Sequence, residues 1–450
     1  MTLYKKLKTI ISAPKDPEKE YVLCASTYKD IWAMAADFQN RLFDRNKHIS
    51  VCMCTTDRAV TAAALLAALT RPATLIMPHE FSDSVIEKVY RENGFSKAVL
   101  EKPVNLPGNA EAIYAKPGSY KNNIIDTSFI RNPDEVFVKL FTGGSTGAPR
   151  TWSKTIGNLF LEAMHHVKKM NISPEDVFAA TVPPNHIYGL LFSVLAPLVA
   201  GASTVDGVLT YPHEIQKGLS GFNATTLVSI PLHYKMLSGI NLSAPWLSRA
   251  LCSAARLFPE DSRAFYEKTG IGVTEIYGST ETGGIATRLC TSSQTHFTAL
   301  DCIKWKLVKN RLAICSDFIS PELPVDKDGY YITSDQVSIA GPNGFSLKGR
   351  ADRIVKVGGK RVDLDEIRSV IMDMPEVKDA AIVCVPDKGG RGNEIRALAA
   401  TCALPAEIRR HLIRHLPGHA IPRKIKTAEK IPVSAAGKYD NTAICDILDS

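Results

Sequence analysis

Residues 141–150 read Phe141-Thr142-Gly143-Gly144-Ser145-Thr146-Gly147-Ala148-Pro149-Arg150, with three glycines, three hydroxyls and one cation in ten positions. Glycine allows the backbone to turn through positive φ and lets a ligand approach the peptide groups closely. Freed amides, hydroxyls and a guanidinium together make an anion cradle. The run before it, Glu135-Val-Phe-Val-Lys-Leu-Phe141, has the character of a strand, and a glycine-rich loop leaving a strand suits a triphosphate. No Gly-Lys-Ser/Thr ending and no immediate helix make it a Walker loop. Taken alone the segment is equally compatible with a solvated turn, so the surrounding chain has to decide.

Upstream, Val51–Thr56 reads as a buried strand. Asp57 is placed to cap an alanine- and leucine-rich helix reaching about Leu69, and Ala73–Met77 is a second strand. This βαβ unit implies a parallel sheet, and Val85–Asn93 with Ser96–Leu100 repeats the alternation. Downstream, Thr155 caps a helix as far as Met170. Val177–Val182, Thr225–Ile230, Arg249–Ser253 and Gly272–Tyr277 read as strands, with helices at Tyr188–Ala200 and Glu260–Thr269. Such alternation predicts a layered α/β region, whose ligands gather at the carboxyl ends of strands. Both the glycine loop and Gly278–Gly284 fall at such ends.

The texture changes near Lys304. Lys304–Phe318 and Gly329–Leu347 alternate, and Pro342-Asn-Gly344 is a hairpin signal, which together predict a small antiparallel β module. Gly349-Arg-Ala-Asp-Arg353 is a polar junction. Beyond it a small α+β domain is expected, giving a division into residues 1–350 and a mobile 351–450. In that tail Asp363 and Glu366 open a helix with Ile367, Val370, Ile371 and Met374 on one face. Ala380–Val385 and Ile395–Thr401 read as strands, and Ala406–Leu416 as a basic helix.

The totals are those of a folded chain: 450 residues, 45% hydrophobic, 22% charged, without low-complexity tracts. The net charge of +8 is dispersed, and no basic stripe interleaved with aromatics speaks for nucleic acid. Ten cysteines include no Cys-x-x-Cys pair and mostly sit in apolar runs. They read as small buried hydrophobes in a reducing compartment rather than as a metal site or disulfide frame. The basic N-terminus lacks the apolar core of a signal peptide. The most apolar segment, Ile187–Ala202, contains Pro197 and is too short to span a bilayer, so a cytoplasmic location is expected. The sequence leaves monomer and dimer both open.

A second polar constellation is Tyr277-Gly-Ser-Thr-Glu-Thr-Gly283. Ionised Glu281 accepts only and suits Mg²⁺. Ser279 and Thr280 add hydroxyls, and Tyr277 offers a flat face to a base. The plain alternative is a capped surface turn.

Thr142–Arg150 and Tyr277-Gly-Ser-Thr-Glu281 together resemble the signature of the acyl-adenylate-forming superfamily, which includes acyl-CoA synthetases, aryl-CoA ligases, peptide-synthetase adenylation domains and firefly-type luciferases. Three further segments match in order: Tyr331-Ile-Thr-Ser-Asp335, Gly349-Arg-Ala-Asp352 continuing through Gly359-Lys-Arg361, and Pro432-Val-Ser-Ala-Ala-Gly-Lys438. The resemblance implies that Thr142, Gly143, Gly144, Ser145, Thr146 and Gly147 hold the β- and γ-phosphates of ATP, with Arg150 assisting. Ser253, Ala254 and Ala255 with Tyr277 would enclose adenine, flanked by Gly278 and Ser279, and Asp335 and Arg350 would bind ribose. It further implies Glu281 as the Mg²⁺ ligand, Thr280 at the α-phosphate, Lys438 as the catalytic cation, Asp352 as the hinge and Gly359 as lining for a pantetheine thiol. His186, also a catalytic candidate, joins Ile187, Gly189, Ser229, Ile230, Ser253 and Gly278 as candidates for the acid pocket. Arg150 stands where lysine is usual, Ser334 where glycine is, and Ser253-Ala-Ala-Arg-Leu257 matches loosely.

The implied reaction is two-step. An aryl (hydroxybenzoate-like) or fatty acid is activated by Mg·ATP to an acyl-adenylate, and the acyl group then passes to the thiol of CoA or of carrier-protein phosphopantetheine. An acyl carrier protein is therefore a possible partner. The alternatives are a non-thiol acceptor, tested by pyrophosphate exchange without thioester formation, and a non-catalytic nucleotide-binding member of the fold.

Overall fold

The structure, a computed structural model, describes residues 2–115, 124–142, 150–290, 296–357, 360–386, 393–434 and 437–450, without the side chains of Thr142, Asp352, Ile354, Lys356 and Arg361. The chain parts into two compact units. The first holds the described residues as far as 303 together with Cys315–Pro324; the second holds Lys304–Ile314 and Val325–Ser450.

Two sheets build the first unit. One runs, in spatial order, Glu111–Tyr114, Lys97–Leu100, Ile49–Cys54, Ala73–Met77, Val136–Thr142 and Arg150–Thr155. All its neighbours are parallel except the last pair. The expected βαβ unit is present. Asp57 accepts a hydrogen bond from the Val60 amide and opens the helix Arg58–Ala68, all of whose residues are buried. Its alanines let it lie close to the strands on a sheet covered on both faces.

The other sheet runs Ser26–Thr27, Glu20–Val22, Ser203–Thr204, Val177–Ala180, Thr226–Ser229, Arg249–Cys252, Val273–Ser279, Gly283–Cys290 and Phe297–Ala299. Glu20–Val22 through Val273–Ser279 are parallel; the last two strands return antiparallel. One core, containing Leu65, Phe160 and Phe192, joins Val51 and Leu75 of the first sheet to Val228 and Leu251 of the second.

The apolar stretch expected as a single helix over 188–200 is broken in character. Ile187–Gly189 is α-helical, Leu190–Leu195 is π-helical, and Ala196–Ala200 is α-helical again. The Ala196 amide reaches back five residues to the Leu191 carbonyl. Pro197 has no amide to give and its ring crowds the preceding turn, and a widened turn relieves that crowding.

In the second unit Lys304–Val308, Arg311–Cys315, Tyr331–Ile339 and Gly344–Arg350 follow one another as strands. Lys309 and Asn310, both at positive φ, form the two-residue turn that suits the twist of the first hairpin. After a 3₁₀ turn at Ala351–Arg353 come the antiparallel pair Ile354–Val357 and Lys360–Asp363, then the helix Leu364–Met372. A three-stranded sheet follows, in the order Val377–Pro386, Asn393–Thr401, Lys424–Ala428. Ile367, Ile371, Ile408 and Leu412 pack in one of its cores, and Leu398, Ile444 and Leu448 in another.

All ten cysteines are free. The expectation that most are buried fails: only Cys52, Cys54 and Cys252 are, whereas Cys24, Cys302 and Cys402 are exposed. Those three lie in turns, outside the apolar strands that carried the expectation. Among the described residues no helix is long and apolar enough to cross a membrane, and no group of three or more His, Cys, Asp or Glu could hold a metal ion.

Candidate functional site

Strand register gathers many of the expected site residues at one edge of the second sheet. Ser229 pairs with Cys252, and Cys252 with Glu275, so the chain beyond each of these parallel strands leaves on the same side. Ile230 follows the first, Ser253 to Ala255 the second, and Tyr277 to Glu281 the third. Ser229 is fully buried and its hydroxyl lies 2.9 Å from that of Thr181. The Ser253 hydroxyl donates to the Ile276 carbonyl at 2.9 Å. Ala254 sits at φ 77°, a conformation that costs a residue with a Cβ about 1–2 kcal/mol. It and Ala255 are exposed, which leaves their backbone accessible at this edge.

His186, half-buried, precedes the helical turn Ile187–Gly189. The turn is tight: a Cβ on Gly189 would lie 2.0 Å from the Pro183 carbonyl oxygen, so glycine there is accounted for by backbone packing. Asn185 donates to the carbonyl of Pro78, just beyond the strand Ala73–Met77, and so ties the carboxyl ends of the two sheets together.

The Glu281 constellation is the tip of a hairpin. Ser279 pairs with Gly283, Thr280–Thr282 form the turn, and Gly283 takes φ 68°. The hydroxyls of Ser279 and Thr282 lie 2.9 Å apart, and each accepts the other residue's amide. Thr280 is buried. Glu281 is half-buried. A hard carboxylate oxygen donor at such a tip fits Mg²⁺. Tyr277 packs on Phe297, ring centroids 5.4 Å apart.

The glycine loop leaves the other sheet. Val136–Thr142 and Arg150–Thr155 are antiparallel, with Thr142 opposite an exposed Arg150. Gly143, Gly144, Ser145, Thr146 and Gly147 lie outside the described residues.

Beneath the hairpin are three ionisable groups that the sequence reading missed. Lys154, fully buried on the strand leaving the glycine loop, donates to the carbonyls of Phe318 at 2.7 Å and Glu281 at 3.3 Å. Burial lowers its pKa to about 8, against the pull of Glu162, Glu281 and Glu322. Glu162, 2% exposed, accepts the Gly284 amide at 2.6 Å. Burial raises its carboxyl to about 7, opposed by Lys154 and that hydrogen bond. His166, one turn further along the helix Ile156–Lys169, is driven down to about 3 by burial and by His165. It lies 3.9 Å from Glu162, too far for a hydrogen bond, and held neutral it forms no ion pair. Glu162 and His166 share a face with Leu159 and Ala163, and this i, i+4 pair on an apolar face is the sequence signal that could have found them.

In the second unit Asp335 and Arg350 are directly opposite on neighbouring antiparallel strands, carboxylate to guanidinium 3.5 Å. Arg350 runs straight into the 3₁₀ turn that contains Asp352, whose side chain is not described, and Gly359 lies outside the described residues. Lys438 is exposed on a tight reversal. The Ser434 amide donates to the Lys438 carbonyl at 2.7 Å, Gly437 adopts φ 72°, and Val433 bridges to Tyr439. Tyr439 fastens the reversal to the sheet by donating to Asp379 at 2.6 Å and accepting from Arg368 at 3.0 Å.

The first unit is thus layered α/β with an acidic hairpin at its sheet edge, and the second carries a small α+β body. The chain belongs to the AMP-binding enzyme family: the family's model matches residues 27–334, and that of the AMP-binding enzyme C-terminal domain matches residues 366–438. A mitochondrial acyl-coenzyme A synthetase of Homo sapiens is 24% identical over 68% of the chain, and a sulfoacetate–CoA ligase of Cupriavidus necator is 28% identical over 68%. The chain spans 60% and 66% of the lengths of these two relatives. An o-succinylbenzoate coenzyme A synthetase from Bacillus subtilis, solved with ATP and magnesium ion, superposes with a TM-score of 0.80 at 15% identity, over 99% of both chains. That likeness establishes the fold.

Proposed function

We propose that the protein is an AMP-forming acid–thiol ligase, acting through an acyl-adenylate. The observation that carries the proposal is the acidic hairpin tip, with half-buried Glu281 beside buried Thr280, at the sheet edge that also presents the exposed Ala254 and Ala255. In this reading the glycine loop and Arg150 hold the β- and γ-phosphates, Ser253–Ala255 and Tyr277 take the adenine, and Asp335 and Arg350 take the ribose. Glu281 would hold Mg²⁺, which when bound would offset charge on the triphosphate.

A carboxylate is already a nucleophile at neutral pH, so the protein needs only to position it and to offset charge. In the first step a carboxylate oxygen bonds to the α-phosphorus, the bond to the bridging oxygen breaks, and pyrophosphate leaves with that electron pair. Thr280 orients the α-phosphate, and Lys438 stabilises the charge that builds between the two anions. In the second step a thiolate bonds to the acyl carbon and AMP leaves with the phosphate oxygen. The thiol's proton has gone to solvent. The tail, turning at Asp352, withdraws Lys438 between steps and lets Gly359 line the way for the thiol.

The acid is aryl or fatty. The candidate pocket residues Ile187, Ile230, Ser229 and His186 include no carboxylate to meet a substrate amine. The acceptor is CoA or a carrier-protein phosphopantetheine. ATP–pyrophosphate exchange across a panel of aryl and fatty acids tests the reading: acid-dependent exchange supports it, and exchange with none of them overturns it.

A further inference from the structure

The strand that carries the chain out of the glycine loop and the hairpin that carries Glu281 belong to different sheets, and one short segment lies between them. The Ser153 amide donates to Glu322 at 3.0 Å, Asn158 donates to the Asp317 carbonyl at 2.6 Å, and the Ser320 amide donates to the Glu281 carbonyl at 2.7 Å. Lys154 completes the bridge, because its ammonium binds both the spacer, at Phe318, and the hairpin, at the same Glu281 carbonyl. Glu162 holds the far side of the turn through the Gly284 amide. A Cβ on Gly283 would meet Glu162 Oε2 at 2.7 Å and Phe318 Cβ at 2.6 Å, so hairpin, spacer and helix are in close contact with no slack between them.

A buried ammonium is costly to keep, and a methionine or leucine would fill the same space. An ammonium supplies what they lack: several donors from one point, here spent on two backbone carbonyls that no side-chain substitution can supply or remove. We propose that Lys154 is a positioning residue that fixes the Glu281 turn relative to the strand leaving the glycine loop, with Glu162 as second anchor through the Gly284 amide. It touches neither nucleotide nor acid; it sets the spacing between the phosphate-holding loop and the metal-holding turn. The clamp's purpose rests on the adenylation reading, whereas its existence does not.

Two measurements separate these. Hydrogen exchange of the full-length protein reads the clamp without any ligand. In Lys154→Met the amides of residues 279–285 and of Ser320 exchange faster by about tenfold or more, while Lys154→Gln, which keeps a donor without the charge, recovers part of the protection. Calorimetric titration with ATP, with and without Mg²⁺, reads the purpose. Wild type binds more tightly with Mg²⁺, and Lys154→Met loses about tenfold or more of that gain while its Mg²⁺-free affinity holds.

The double variant Lys154→Met/Glu162→Gln removes the lone buried acid and so regains melting temperature without regaining the Mg²⁺-dependent gain. Recovery of both would make Lys154 a mere structural counter-charge and overturn the proposal, as would wild-type exchange and Mg²⁺ dependence in Lys154→Met. Faster exchange in Lys154→Met, found together with a wild type that binds no ATP, keeps the clamp and removes the adenylation reading.

Discussion

Replacing Gly278 with alanine tests whether the acidic hairpin matters for chemistry as the fold implies. A Cβ at this position would lie 2.3 Å from the Gly283 carbonyl oxygen, 2.9 Å from the Gly284 Cα and 3.0 Å from the Gly283 carbonyl carbon. All three are backbone atoms of the paired strand, so no side chain can rotate away. An unstrained C···O contact begins near 3.3 Å, so the strands must part by about 1 Å just where the register already shifts between Tyr277 and Gly278. Forced overpacking of this kind costs about 1–3 kcal/mol. The larger effect falls on the turn that follows: Thr280 and Glu281 are carried by the displaced strand end, and a 1 Å misplacement of positioning groups costs about 100-fold in rate. Urea denaturation and acid-dependent pyrophosphate exchange, measured on the same preparation, should therefore show a modest loss of stability beside a drop of about two orders of magnitude in rate. Exchange at the wild-type rate in a variant whose stability has fallen would show that the turn does not position the reacting groups. Wild-type stability would show that the strands are not packed as described.

Lys438→Ala should lower pyrophosphate exchange by about 10²–10³-fold while leaving the melting temperature and ATP affinity in place, since the side chain is exposed on a reversal anchored by its neighbour Tyr439; full exchange activity would remove Lys438 from the mechanism. Asp352→Pro, in the 3₁₀ turn after Arg350, should slow thioester formation more than adenylation, and equal loss of both would undercut the hinge. Burial holds His166 neutral with a pKa near 3 against an ordinary 6.5, so the folded state binds fewer protons than the unfolded state between those values. Stability due to this group is then whole above pH 6.5 and is lost as pH falls towards 3, by about 2–3 kcal/mol at pH 4.5. Glu162, raised to about 7, acts oppositely between about 4.5 and 7, so the comparison is between wild type and His166→Leu, both of which keep Glu162: the variant should lose less stability from pH 7 to pH 4.5, and parallel losses would refute the assignment.

Elements set by near neighbours were legible. Asp57 and Thr155 cap their helices through residues three positions on, and Ala73–Met77 begins and ends where its apolar run does. The buried charges were not, because their partners are remote: Glu162 meets an amide 122 residues away, and Lys154 meets carbonyls 127 and 164 residues away. A local pattern assigns a lysine to solvent by default, and only tertiary packing reverses that.

The pair Asp335 and Arg350 lies between these extremes. The Pro342-Asn-Gly344 signal fixes the hairpin, and its first rungs, Ile339 with Phe345, Ser338 with Ser346 and Val337 with Leu347, follow from the turn alone. Continued without interruption, that register would put Asp335 opposite Gly349 and leave Arg350 facing Ser334. A shift between Gln336 and Val337 adds one residue to the returning strand, so that Gln336 meets Gly349 and Asp335 meets Arg350. Gly349, at φ 133°, supplies the backbone conformation that a residue with a Cβ resists. Bulges re-aim side chains in this way, and none is visible in an alternation pattern, which counts residues along one strand and not across two. The motif segments therefore named both residues of the pair from sequence, while the irregularity that brings a carboxylate and a guanidinium onto one rung required the structure.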